Sequence, residues 1–289
     1  MVKHSNHSLD ETDIAILKGL FRFRYLTVDL ISEINPDLSY SAWTKRLRKL
    51  LTSGYIDRPP KQLWTFRKHE KAIYALDQKG ADYLAQHFDI HFSKTVKWHE
   101  KNRRYRGQDP FSHALSTARF MIELEQALVK EGTTLTHQDE LFGVDYVTGV
   151  SWETYIATEF TTIKPKLKPD GIFSIKKKGS AHPLNFCLEI DRGTMPIRST
   201  HFDRSSILKK YMCYRDTHMR KALQTKFRFK NFRVLMVTTT EKRAQNMRDL
   251  WAEEFSDMSK LCLFTSFEAI DEKGILDAWC ETYGEHAYF

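Results

Sequence analysis

Apolar positions in the first eighty residues repeat at helical spacing and then give way to short strand-like runs. Ile14, Leu17, Leu20 and Phe21 recur at three- and four-residue intervals, with Ser8 or Asp10 placed to cap the helix they predict. Tyr25-Leu26-Thr27 interrupts the pattern, and Thr27 can cap a short second helix from Val28 to Ile34. Asn35-Pro36-Asp37 is a turn signal. Trp43, Leu47, Leu50 and Leu51 then form the apolar stripe of a third helix beginning near Ser39, with Gly54 suited to its C-cap. Residues 55–58 and 72–76 read as two short strands joined by a loop that opens on Pro59-Pro60, and residues 77–88 predict a further helix.

The remainder alternates between helical and strand patterns. Residues 90–108 have no clean period and are dense in lysine and arginine, with Trp98 and Tyr105 interleaved. This stretch reads equally as a linker lying along a nucleic-acid backbone and as a plain solvated one. Residues 109–130 predict a long helix, and 133–142 and 155–163 predict strands. Two runs, 172–175 and 185–192, flank a Lys-Lys-Lys-Gly-Ser turn and predict a hairpin. A helix over 202–218, a strand over 232–238, a helix over 241–255, a strand over 261–265 and a last helix over 275–283 complete the order. Helices placed between strands imply an α/β sheet covered on both faces. The expected domains are 1–92, a basic linker at 93–108, and 109–289.

Composition narrows the class. At 289 residues, 41% apolar and 28% charged, the chain is long enough for two domains of ordinary globular composition. Its net charge of +8 favours nucleic acid or an anionic surface as partner. No apolar run approaches the roughly 20 residues of a membrane-spanning helix. The polar N-terminus has no signal-peptide core, so a cytoplasmic protein without membrane contact is expected. Four scattered cysteines, none in a Cys-x-x-Cys pair, indicate neither a zinc ribbon nor a disulfide framework.

The candidate chemistry lies in the hairpin. Asp170 opens its first strand, and Glu189 and Asp191 close the second, two positions apart and so on one face. Acids gathered on one face repel and resist burial, a cost that a divalent cation removes. As plain structure, Asp170 before a glycine is a turn residue, and Glu189 and Asp191 can pair with Arg192, Arg198 or Arg204. Pro169-Asp170 with Glu189-Ile190-Asp191 resembles the PD-(D/E)xK nuclease core, although Asp191 stands where that family has lysine. The longer run Pro169-Asp170-Gly171 with Glu189-Ile190-Asp191-Arg192-Gly193-Thr194 resembles the plasmid replication-relaxation family, itself similar to MobC-type conjugative relaxases.

That resemblance implies a restriction-endonuclease-like second domain in which Asp170, Glu189 and Asp191 hold Mg or Mn. Lys209 or Lys210, on the following helix, would stand in for the missing lysine, and Glu123 or Glu125 would be the helix acid that some relatives use. Tyr211 or Tyr214 could act as a nucleophile, with no positional reason to prefer either.

The first domain resembles winged helix-turn-helix modules through Leu-x-x-Leu-Leu-x-x-Gly-Tyr-Ile at 47–56 and Tyr-Ala-Leu-x-x-x-Gly at 74–80. The resemblance implies that Ser41, Thr44, Lys45, Arg46, Arg48 and Lys49 face double-stranded DNA, with Arg58, Arg67 and Lys68 on the wing. As plain structure, those cations are only the solvated side of a helix. The expected protein is thus a DNA-binding component of a plasmid or mobile element, nicking DNA with metal at an origin. A catalytically inactive regulator of replication or transcription and a defence nuclease stay open. A second copy of the chain and other relaxosome or replication proteins are the further partners implied.

Overall fold

The computed structural model describes residues 8–34, 38–59, 71–88, 90, 111–143, 149–157, 161–199 and 205–284. Its contacts fall into two compact units, residues 1–123 and 124–289. The basic stretch expected to be a linker, 93–108, lies outside the described residues, as do Arg67, Lys68 and Arg204.

In the first unit, Asp10 caps helix α1 (Glu11–Phe23) in a reciprocal capping box with Asp13. Arg24 ends α1 at positive φ, and the chain enters β1 (Tyr25–Thr27) and α2 (Val28–Ile34). Helix α3 (Tyr40–Thr52) starts at Ser39, whose hydroxyl accepts the Ala42 N–H, and buries Trp43, Leu47 and Leu50. Strands β2 (Ile56–Asp57) and β3 (Ile73–Leu76) complete an antiparallel sheet in the order β1-β3-β2. Helix α4 (Gln78–Phe88) follows directly. Helix α5 (Ser112–Lys130) runs across the division between the units.

The second unit is built on a five-stranded mixed sheet. Its order is β12 (Cys262–Ser266), β11 (Arg233–Thr238), β10 (Leu184–Ile190), β9 (Gly171–Lys176) and β4 (Thr134–His137). The hairpin β9–β10 and the β4–β9 pair are antiparallel, whereas β10–β11 and β11–β12 are parallel. Each parallel step needs a crossover helix. These are α7 (Ile207–Met219) and α9 (Glu241–Glu254), both capped by a hydroxyl, Ser206 and Thr240. Tyr211, Tyr214, Met247 and Trp251 from these helices meet Cys187, Val234, Met236 and Phe264 of the sheet in one buried cluster. The Tyr211 and Trp251 rings pack edge to face at 4.9 Å. Strand β10 is buried on both faces, which is why its apolar run is nearly continuous.

Several expected elements are redrawn. The strand expected over 133–142 stops at His137 and turns into a short helix, α6 (Gln138–Phe142). The strand expected over 155–163 is two fragments, β6 (Ile156–Ala157) and β7 (Thr162–Ile163), paired with each other, beside a second small ladder of β5 (Trp152–Glu153) with β8 (Lys166–Leu167). An extra helix, α8 (Ala222–Phe227), sits between Lys221 and Arg228, both at positive φ. The last helix is α10 (Phe267–Lys273), not 275–283, because Ser266 caps it and Gly274 ends it at φ 86°.

Candidate functional site

The parallel register brings the C-terminal end of β10 beside that of β11, and the hairpin places the start of β9 at the same end. Asp170 precedes β9 there, and its Oδ2 accepts the Ile190 N–H at 2.8 Å. Glu189 points from β10 toward α7 and is 1% exposed. Lys210 and Tyr214 lie one turn apart on α7, so both reach the same carboxylate. The Tyr214 hydroxyl donates to Glu189 Oε1 at 2.7 Å, and the Lys210 ammonium pairs with Oε2.

The electrostatics of this cluster are dominated by burial. Desolvation pushes the Glu189 carboxyl up to about 6, aided by the charge of Asp170 and opposed by Lys210 and the Tyr214 hydroxyl. Burial alone would push Lys210 down, but the attraction of Glu189 and Asp170 outweighs it and holds the ammonium above its ordinary value. Burial is the largest single influence on both groups; for Lys210 the summed attraction of its acidic neighbours exceeds it. Both shifts favour keeping a proton in the pair. Lys210 is the cation that pairs with Glu189, while the backbone N–H of Lys209 donates to Ser206 Oγ, the cap of α7.

Asp191 has a different role. Its Oδ2 accepts from Thr238 Oγ1 at 2.8 Å and from the Gly193 N–H at 3.2 Å. The Arg243 guanidinium from α9 pairs with both of its oxygens and also reaches the Met195 carbonyl. Asp191 thus ties β10, β11 and α9 together. The partner expected for it among Arg192, Arg198 and Arg204 is instead Arg243, and Arg198 pairs with Glu253 and Glu254.

A Mg or Mn ion needs a set of hard oxygen ligands. Among the described residues, no group of three or more His, Cys, Asp or Glu side chains is arranged to hold a metal ion. Of the carboxylates expected to hold the ion beside Asp170, Asp191 is bound by Arg243 and Thr238 and Glu189 by Lys210 and Tyr214. Of the two helix acids, Glu125 sits 3.1 Å from His137 Nε2 and Glu123 lies 3.8 Å from Arg119. Neither tyrosine is placed as a nucleophile. Both are fully buried, Tyr211 donates to the Met247 carbonyl at 3.0 Å, and burial pushes both phenols well above their ordinary value.

The second candidate site is the outer face of α3. Ser41, Thr44, Lys45, Arg48 and Lys49 are exposed on it, opposite the buried Trp43 and Leu47. Thr44 bonds back to the Tyr40 carbonyl and Ser41 to Ser39. Arg46 turns aside: its Nη1 reaches Asp10 at 2.7 Å and the buried Asp13 at 2.6 Å. That hydrogen bond to Arg46 draws the Asp10 carboxyl below its ordinary value. Lys45, Arg48, Lys49 and Thr52 line a groove of about 510 Å³ together with Arg46, Asp10 and Asp13. Arg58 follows β2, and its N–H donates to Asp57 Oδ1. Among the described residues, no helix is long and apolar enough to cross a membrane.

Sequence reasoning missed Arg243, Thr238 and the part played by Tyr214. Only Tyr214 had a local signal, its four-residue spacing from Lys210.

Comparison with known families gives one match: the model described as Replication-relaxation covers residues 17–227, most of the chain. No curated protein and no solved structure matches it.

Proposed function

This chain belongs to the replication-relaxation family, and on that footing we propose that it binds duplex DNA in the replication or mobilisation of a plasmid or other mobile element. The observation that carries this reading is α3. Its solvated face presents Lys45, Arg48 and Lys49, with Arg46 neutralising the two carboxylates that would otherwise repel a phosphate backbone. Helices α1, α2 and α3 with a small antiparallel sheet, in which β2 and β3 follow α3 and pair with β1 before α2, support the winged helix-turn-helix reading. In that reading α3 enters the major groove. Lys45→Ala with Arg48→Ala should weaken duplex binding and lower the slope of log K against log salt by about 2, at ~0.9 per lost phosphate contact. Unchanged affinity and slope would move recognition off α3.

A second reading, strand cleavage by the second unit, is favoured by Asp170, Glu189 and Lys210 at one sheet end. The mixed sheet with its crossover helices supports the PD-(D/E)xK reading of the fold. Lys210 is the cation suited to stabilise charge developing on a phosphate. The test is supercoiled plasmid incubated with Mg²⁺ or Mn²⁺, beside Asp170→Ala and Glu189→Ala. Relaxation lost in both variants supports cleavage. Intact supercoils with undiminished DNA binding leave a non-enzymatic regulator.

A further inference from the structure

The two ends of the second unit's sheet carry opposite chemistry. Asp170, Glu189 and Asp191 mark one end. At the other, the β9–β10 turn carries Lys176, Lys177 and Lys178, all exposed. Beside it the chain entering β11 contributes Arg228 and Lys230, also exposed. Lys230 donates to His182 Nε2 at 2.7 Å, which fixes that loop against the hairpin turn. Strand β10 runs from Leu184, next to this end, to Ile190 at the acidic end, a separation of six strand residues or roughly 20 Å.

Next to these cations is a recess of about 420 Å³ lined by His218, Arg233, Ser259 and Lys260 around Phe232. Two acids stand near: Asp257 in the lining, and Glu281, which takes one Arg233 nitrogen at 2.9 Å. The recess alone balances two cations, Arg233 and Lys260, against these two acids, and the positive excess comes from the exposed Lys177, Lys178, Arg228 and Lys230 beside it. Within the described residues, the buried His218 Nδ1 has no hydrogen-bond partner at the wall of this recess.

Backbone conformation points the same way. Arg228 ends α8 at φ 58°, ψ 25°, the left-handed region where glycine is the unstrained choice. Lys221, at its other end, has φ 52°. Two long cationic side chains are kept at positions where the backbone alone would favour glycine.

We propose that this basic end of the second unit is a separate nucleic-acid contact, gripping the sugar-phosphate backbone with Lys177, Lys178 and Lys230 and seating one phosphate against Arg233 and Lys260. The recessed cations suit a phosphate that projects from a polynucleotide better than the flat headgroup layer of a membrane. The surface is independent of the reading of α3 and of any cleavage at the acidic end.

The test uses the full chain and a fluorescent duplex of arbitrary sequence, titrated at several salt concentrations. Lys177→Gln, Lys178→Gln and Lys230→Gln combined should lower the salt slope by roughly 2–3 and weaken binding roughly tenfold or more. Arg228→Gly should weaken binding while the melting temperature holds or rises, an outcome a merely structural arginine would not give. The same comparison in the Lys45→Ala, Arg48→Ala background separates the two surfaces. If the α3 reading alone fails, that background binds like wild type while the basic-end changes still act. An unchanged slope in the triple variant, with its melting temperature preserved, overturns the proposal. So does loss of sedimentation with phosphatidylserine vesicles at unchanged DNA affinity, which would assign the patch to a membrane.

Discussion

A carboxylate as buried as Glu189 is held by its partners, not by water. Its folded value of about 6 lies above the ordinary 4.5, so the folded state binds the proton more tightly than the unfolded chain. Stability therefore falls as pH rises through that window, by about 2 kcal/mol in all, and is flat above it. Glu189→Gln should remove the slope between pH 4.5 and 6.5 in urea unfolding; a slope of wild-type size in the variant would assign it to another group. Lys210 opposes the rise, so Lys210→Met should move the Glu189 midpoint above 6, read by carboxyl ¹³C shifts. Lys210 itself contributes stability below its own raised value, outside this window. Arg46 poses the same question in the first unit. Arg46→Ala removes the cation paired with Asp13, which is 0% exposed, and should cost on the order of 3 kcal/mol in unfolding experiments. A cost near zero would show that the remaining partners of Asp13 suffice without the arginine. The Glu189–Lys210 contact could be anticipated from spacing, because a helix following the acid strand can reach back. The Asp191–Arg243 pair could not: 52 residues separate the partners, and no local pattern marks Arg243 over its neighbouring cations.

At the scale of elements, packing overrides propensity most clearly at Gly80 in α4. A glycine in a helix interior ordinarily gains about 1 kcal/mol on replacement by alanine. Here the added Cβ would lie 2.2 Å from the Tyr55 carbonyl oxygen and 2.8 Å from Leu76 Cδ1. Backbone cannot yield as a flexible side chain can, so Gly80→Ala should destabilise by about 1–3 kcal/mol. A stabilised variant would show that α4 does not approach Tyr55 so closely. The elements legible in the sequence were those with long periodic faces or continuous apolar runs, such as α1, α3, β10 and β11. Two-residue strands such as β5 to β8 are too short to carry a period. Helix α8 was invisible because Lys221 and Arg228, not glycine or proline, punctuate it. The signal for α10 was present, in Ser266 as cap and Gly274 as stop, but the apolar residues after Gly274 drew the helix past its end.

For the molecule as a whole, the division at residues 123 and 124 is a statement about cooperativity. Most contacts are made within residues 1–123 or within 124–289. Hydrogen exchange reports such units separately when each carries its own core. The first has Leu17, Leu20, Trp43 and Leu47, all fully buried; the second has the cluster around Tyr211, Tyr214 and Trp251. Gly80→Ala, whose nearest clashes are with Tyr55 and Leu76, is a lesion within the first unit. Amides of α1, α3 and β3 should lose protection in that variant by the full destabilisation, while amides of β10, β11 and β12 keep wild-type rates. If β10–β12 lose protection in parallel, the two units unfold as one.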